Sequence, residues 1–189
     1  MLTTLSRAKP FLQLQQSDSS QDNELRMAIL AASQAIENEC RRSFKLQNYV
    51  QTLSGDGSPY ISLRNSPVVS IVEIIESDGG SIVDYRNLGD GLVLRAARWP
   101  YGQHNITVTY EGGYILPVDE TGERPHTLPE PLELACIMLA QMIFEGNYGK
   151  ESERTADYAV TFQKALPGRE SNLPPAVAAL VSPYVWSGV

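Results

Sequence analysis

Gln21–Phe44 reads QDNELRMAILAASQAIENECRRSF, a long amphipathic helix that runs into a basic and aromatic step and then into strand-like sequence. Leu25, Ile29, Ala32, Ile36 and Cys40 recur at helical spacing and make one apolar face. On the opposite face Asp22 with Arg26, and Glu37 with Arg41, stand four positions apart, where opposite charges support a helix. Arg41, Arg42 and Lys45 crowd its end, a place where cations complement the helix dipole. Such a stripe has to be buried against another element. The next strongly apolar helix comes only after Leu128, and the block between them holds turns and strands with no recognisable catalytic grouping. That layout points to a building block whose function lies in its surfaces.

Upstream, Thr4–Leu14 reads as a short helix with Leu5, Ala8 and Leu12 on one side and Pro10 as an interruption. The polar stretch SDSSQDN, residues 17–23, links it to the long helix and is rich in capping residues. Downstream the period changes to that of strands. Tyr49–Leu53 and Tyr60–Leu63 flank the turn Ser54–Ser58 as a hairpin, and Pro67–Ile75 is a β-branched run. Turns at Asp78–Gly80 and Gly89–Gly91 punctuate shorter strands around Ile82–Val83 and Leu92–Leu94. Ile106–Tyr110 alternates cleanly and ends at Glu111–Gly113. About five or six strands in one small antiparallel sheet or partial barrel are expected.

The loop PVDETGERPHTLPEP, residues 117–131, is longer than a simple connection. A helix follows over Glu130–Glu145, with a stop at Gly146–Asn147, and then a weaker one over Ser152–Leu166. The last helix begins at about Pro174. The fold class expected is α+β: a helical bundle of about four to five helices with the small sheet inserted between the two long ones. Residues 1–45 and 128–166 form the helical core, 46–116 the β-rich domain, 117–127 a loop and 167–189 a C-terminal docking segment.

The 189 residues, 42% of them hydrophobic, are enough for one domain, or for a domain with a smaller appendage. No apolar run approaches a membrane span, and the opening MLTTLSRAKPFLQL lacks the apolar core and cleavage site of a signal peptide. A soluble, cytoplasmic protein with no membrane partner is expected. Cys40 and Cys136 fall on apolar helix faces and read as buried thiols. With His104 and His126 not at ligand spacing from either, no metal and no cofactor is expected. The net charge of −7 and scattered Lys and Arg argue against sequence-specific nucleic-acid binding.

Gly55–Asp56–Gly57 and Gly89–Asp90–Gly91 lead into further strand rather than into a helix, so they read as turns and not as phosphate loops. Glu73 with Glu76, and Glu151 with Glu153, have surface spacing. There is no G-x-S-x-G elbow, and no catalytic residue is assigned. A small hydrolase with an unrecognised site is the alternative from another class. The aromatic residues are more suggestive. Trp99 and Tyr101 flank Pro100 before the clean strand, and Tyr184, Val185 and Trp186 lie close to the end of the sequence. They read either as anchors of a protein interface or as covers of a core edge.

Taken in order, these pieces resemble the head–tail connector (adaptor) proteins of tailed bacteriophages. The resemblance is carried by Leu5, Lys9 and Leu12, then Asp22, Ile29–Ala32 and Ile36–Glu37, closing at Arg42–Ser43–Phe44. It continues through Ser66–Ile71, Trp99–Pro100 and Val108–Tyr114, and resumes at Leu128–Leu132. It covers roughly Leu2 to Asn147. Pro10 departs from the family pattern, which continues the helix there, and nothing after Gly149 takes part.

The resemblance implies a non-enzymatic virion component at the head–tail neck, assembled in the host cytoplasm. It implies a homo-oligomeric ring of about twelve copies that docks on the portal protein and extends the DNA channel toward a downstream neck or tail protein. DNA would pass without sequence-specific binding, which suits an acidic subunit. Another neck component, a head-closure or tail-completion protein, is the alternative within the same setting.

Overall fold

The computed structural model describes residues 1–146, 152–155, 158–161 and 171–188, and the chain divides into two units. One comprises Met1–Arg41 and Leu116–Val185, the other Arg42–Ile115 and Trp186–Val189. The described residues form four α-helices: α1 (Leu5–Phe11), α2 (Asp22–Cys40), α3 (Glu130–Phe144) and α4 (Pro175–Val181). The strands are β1 (Gln47–Gly55), β2 (Tyr60–Ser62), β3 (Val68–Glu76), β4 (Arg86–Asn87), β5 (Leu92–Leu94), β6 (Gly102–Gly112), β7 (Ser152–Thr155) and β8 (Tyr158–Thr161). Short 3-10 turns occupy Pro117–Asp119 and Ser182–Tyr184. The fold is thus a mixture of helices and small antiparallel sheets. No helix among the described residues is long and apolar enough to cross a membrane.

In the helical unit, α2 packs on α3 and α3 on α4. The stripe Leu25, Ile29, Ala32, Ile36 and Cys40 is fully buried. Asp22 and Glu24 stand in the first turn of α2, where negative charge complements the helix dipole. Apolar nearly all round, α3 buries Leu132, Ala135, Cys136 and Leu139. Between the two long helices Ser33 Oγ donates to the Ile29 carbonyl at 2.7 Å, accepts the Leu2 N–H at 3.0 Å and lies 3.4 Å from Cys136 Sγ.

Pro10 lies inside α1 and removes the N–H that would bond the Ser6 carbonyl. The Gln16 side chain supplies the missing donor at 2.6 Å. Lys9, buried in the same helix, pairs with Asp22 at 2.6 Å and donates to the Asp18 carbonyl at 2.7 Å. The linker is thereby folded back onto both helices.

Two expectations for the helices need correcting. First, α2 stops at Cys40 and does not run to Phe44, because Arg41 turns left-handed (φ 54°). Arg42 then leaves the helix altogether. Its guanidinium donates to the Ser66 hydroxyl at 2.9 Å and to the Ser66 carbonyl, and stacks 5.0 Å over the Phe44 ring. So the basic trio does not act together as a helix cap. Second, the weaker helix expected over Ser152–Leu166 is a β-hairpin where it is described, with Ser152 opposite Thr161 and Thr155 opposite Tyr158. Residues 162–166 lie outside the described part, as does Asn147 of the expected helix stop.

The β unit holds two three-stranded antiparallel sheets, ordered β1-β6-β3 and β2-β5-β4, rather than one sheet or partial barrel. Central strand β6 alternates as its sequence requires, burying Ile106, Val108 and Tyr110. These join Ile61, Leu63, Val93 and Trp99 in the core. Burial pushes the Tyr110 phenol above its ordinary range, and its oxygen accepts the Asn65 N–H at 3.1 Å.

The segment 54–58 is not a hairpin turn. β1 pairs with β6, Gln47 opposite Gly112, whereas β2 pairs with β5, Tyr60 opposite Leu94, so the segment carries the chain from one sheet to the other. Gly89–Asp90–Gly91 does close a hairpin, between β4 and β5, with both glycines at positive φ. Ile82–Val83 is not a strand; Ile82 is held by one N–H bond to the Ile74 carbonyl at 2.9 Å.

Candidate interaction surfaces

Trp99 and Tyr101, two residues apart, face opposite ways. Trp99 is 1% exposed in the core of the β unit, its indole N–H donating to the Pro59 carbonyl at 3.2 Å with Arg95 stacked 5.8 Å over its ring. The ring lies inside the core and not on its surface. Tyr101 is 88% exposed. Asn105 sets the loop between them, accepting the Gly55 N–H at 2.9 Å and donating to the Pro100 carbonyl at 3.0 Å. A side chain at Gly55 would strike that same Pro100 oxygen, so the close approach requires glycine there. The outcome is an aromatic ring held out on a backbone ordered in advance, which lowers the entropy cost of a contact.

Beside this loop a groove of about 590 Å³ runs along β1 and β2, walled by Leu53, Tyr60, Ile61 and Leu92 and edged by Ser54, Asp56 and Ser58. Ser58 donates its N–H to Asp56 Oδ1 at 2.8 Å, which holds the Asp56 carboxyl below the usual range. Sequence reasoning missed this groove, since its walls come from two sheets. It also missed Val69 and Val72, both exposed on β3. A signal was present: the run Val68–Val69 and Ile71–Val72 breaks the two-residue alternation at those places.

In the helical unit Tyr184 is half-buried, ending the turn after α4, and Val185 is exposed. Val185 lies beside a shallow pocket of about 300 Å³ lined also by Asn38, Glu39, Arg41 and Val181. Trp186 is grouped with the β unit and half-buried, with the Arg64 guanidinium 4.8 Å over its ring. Within the helical unit Arg7 grips Glu133 beside a second pocket, of about 340 Å³.

The groups weighed for chemistry do not converge. Glu76 joins Arg95 at 3.6 Å while Glu73 is exposed on β3, and Glu151 lies outside the described residues. His126 pairs with Glu120 at 3.0 Å, and His104 is exposed with φ 49°. Cys40 and Cys136 are both buried, and neither is part of a disulfide. Among the described residues no group of three or more His, Cys, Asp or Glu could hold a metal ion.

A family model described as head completion protein matches residues 1–185, well past Gly149. No curated protein matches the sequence. Solved structures share the fold. A chain in the neck of an empty GTA particle computed with C6 symmetry aligns at TM-score 0.61 and 16% identity, covering 100% of this chain and 91% of that one. A chain of the virion of a native gene transfer agent (GTA) particle aligns at TM-score 0.56 and 16% identity, over 99% and 94%. One in the neck of the native GTA particle computed with C12 symmetry aligns at 0.53, again at 16% identity, over 100% and 94%.

Proposed function

The chain belongs to the head completion protein family, and on that premise we propose that it is a structural component of the virion neck, forming a ring at the head–tail junction. The observation that carries this reading is the family match across residues 1–185. The likeness to chains in neck reconstructions computed with C6 and C12 symmetry supports a ring of matching rotational order. Head-to-tail contacts between neighbours, each using two different patches, close such a ring. The ring docks on the portal protein, meets a downstream neck or tail protein on its other side, and extends the DNA channel.

The chemistry is that of a conduit. A net charge of −7 leaves little attraction for a sliding phosphate backbone. The protein acts without catalysis and without a cofactor, as a structural member of the neck. Tyr101 reaches a neighbour. The C-terminal segment, with Tyr184, Val185 and Trp186, docks against the portal, where half-exposed aromatic rings supply apolar contact area.

A reconstruction of the particle neck tests this. The expected result is density for this chain in a closed ring on the portal; density at a position without rotational symmetry overturns it. A monomer in free solution is compatible with the proposal, because the portal serves as template. Deleting Tyr184–Val189 tests the docking segment separately. Heads that carry portal should fail to recruit the truncated protein, and normal recruitment refutes the docking role.

A further inference from the structure

The β unit has two opposite edges of different character. β1 and β3 flank β6 in one sheet, and β2 and β4 flank β5 in the other. On one side β1 and β2 are joined, since Gln51 Nε2 donates to the Ser62 carbonyl at 3.3 Å and Gln51 Oε1 accepts the Arg64 N–H at 2.9 Å. On the other side β3 and the β4 hairpin are joined by the Val68 N–H to the Gly89 carbonyl at 2.8 Å and by Asn87 Nδ2 to the Val68 carbonyl at 3.2 Å. The first edge carries the apolar groove with Asp56 at its rim. The second carries exposed Val69, Val72, Val83 and Leu88, with Arg86 also exposed.

β3 shifts register against β6 between Val68 and Ser70 and again between Ile71 and Glu73. The residues skipped are Val69 and Val72, so two bulges turn these valines outward. Bulges also spoil an edge for strand addition. A partner must therefore meet this edge through side chains rather than through a continued ladder. The opposite edge offers a concave apolar receptor, and its acidic rim complements Arg86.

We propose that successive copies of this chain meet through these two edges, the β3/β4 edge of one seating Val83 in the β1/β2 groove of the next, with Arg86 facing Asp56. This rests on the ring reading above and assigns the surfaces that close the ring. Because the two patches differ and lie on opposite edges, the contact is head-to-tail and propagates from copy to copy.

Two experiments on assembled particles test it. Ser62→Cys and Val83→Cys combined in the full chain should give, on oxidation, a ladder of disulfide-linked multimers, whereas either change alone gives none. Cys40 and Cys136 are buried and do not compete. A ring visible in the neck of those particles without a ladder overturns the edge assignment and spares the ring reading; parent particles with no ring overturn both. Asp56→Arg and Arg86→Asp should each lower the fraction of particles carrying the ring by about tenfold. Together they should restore it to within about threefold of the parent. Single variants that assemble like the parent, or a double variant that is folded by circular dichroism yet no better than the singles, overturn the proposal.

Discussion

Arg7 and Glu133 meet in a two-pronged ion pair, Nε to Oε1 at 2.5 Å and Nη2 to Oε2 at 2.7 Å, which fastens α1 to the first turn of α3. Thr3 adds a third hydrogen bond, to Oε1 at 2.8 Å. Burial opposes ionisation of Glu133, but the hydrogen bonds from Arg7 and Thr3 outweigh it and leave the carboxyl below its ordinary value of 4.5. A carboxyl depressed in the folded state contributes stability that is present above its unfolded value and lost as pH falls through the folded one. Glu133→Gln should cost about 1–2 kcal/mol at neutral pH in urea unfolding, discounted because Arg7 is partly exposed. It should also flatten the fall in stability as the pH drops below the ordinary carboxyl value of 4.5. An unchanged acid limb would show that the pair contributes nothing.

Trp99 and Tyr101 should separate stability from assembly. Trp99→Ala removes a fully buried ring and should cost about 3–5 kcal/mol. Tyr101→Ala should stay within about 0.5 kcal/mol of the parent in denaturant melts. The latter should nevertheless reduce incorporation into particle necks, as scored by immunoblot of purified particles. A Tyr101→Ala protein incorporated at parental levels would remove Tyr101 from the contact surface.

Lys9 holds a charged amine in the helical unit with one carboxylate and main-chain carbonyls around it. Lys9→Met keeps the aliphatic volume and strands those acceptors. A loss of about 1–3 kcal/mol is expected. Amide hydrogen exchange over residues 12–21 should accelerate before that of α2, since the linker loses its tether while the buried stripe is untouched. Uniform acceleration across both would contradict the tether.

The thiols should be inert in the native protein. Burial pushes the Cys136 thiol up to about 11, and Cys40 is equally enclosed. At about pH 8 a disulfide-exchange reagent should label neither, and denaturant should release both together with the loss of helical signal. Labelling well before that transition would mean that the helical unit opens locally.

Much was legible because it is local. The stripe on α2, the apolar α3, the alternation of β6 and the Gly-Asp-Gly turn between β4 and β5 follow from side-chain period and backbone freedom, which neighbouring residues impose. Cys40 and Cys136 lie on the faces their spacing implied. Tyr101 could be picked out as an exposed aromatic candidate, but its neighbour Trp99 had the same local signature and went to the core. The bonds from Trp99 to the Ser58 and Pro59 carbonyls and the clamp from Asn105 on the Pro100 carbonyl separate the two.

The sequence by itself therefore determined which segments are helix or strand over most of the chain, and which face of each long element is apolar. Tertiary structure decided the partners. Thr52 of β1 lies against Thr107 of β6, 55 positions away, and no local pattern encodes that pairing over the nearer hairpin with β2. It also decided the end of α2, since Arg42 is drawn off by Ser66 and Phe44, and the strand form of residues 152–155 and 158–161. The groove and the two bulged valines belong to the same class. The groove arises from how strands of two sheets come together and the bulges from the register of β3 on β6, and ladder hydrogen bonds and shared burial between distant residues decide both.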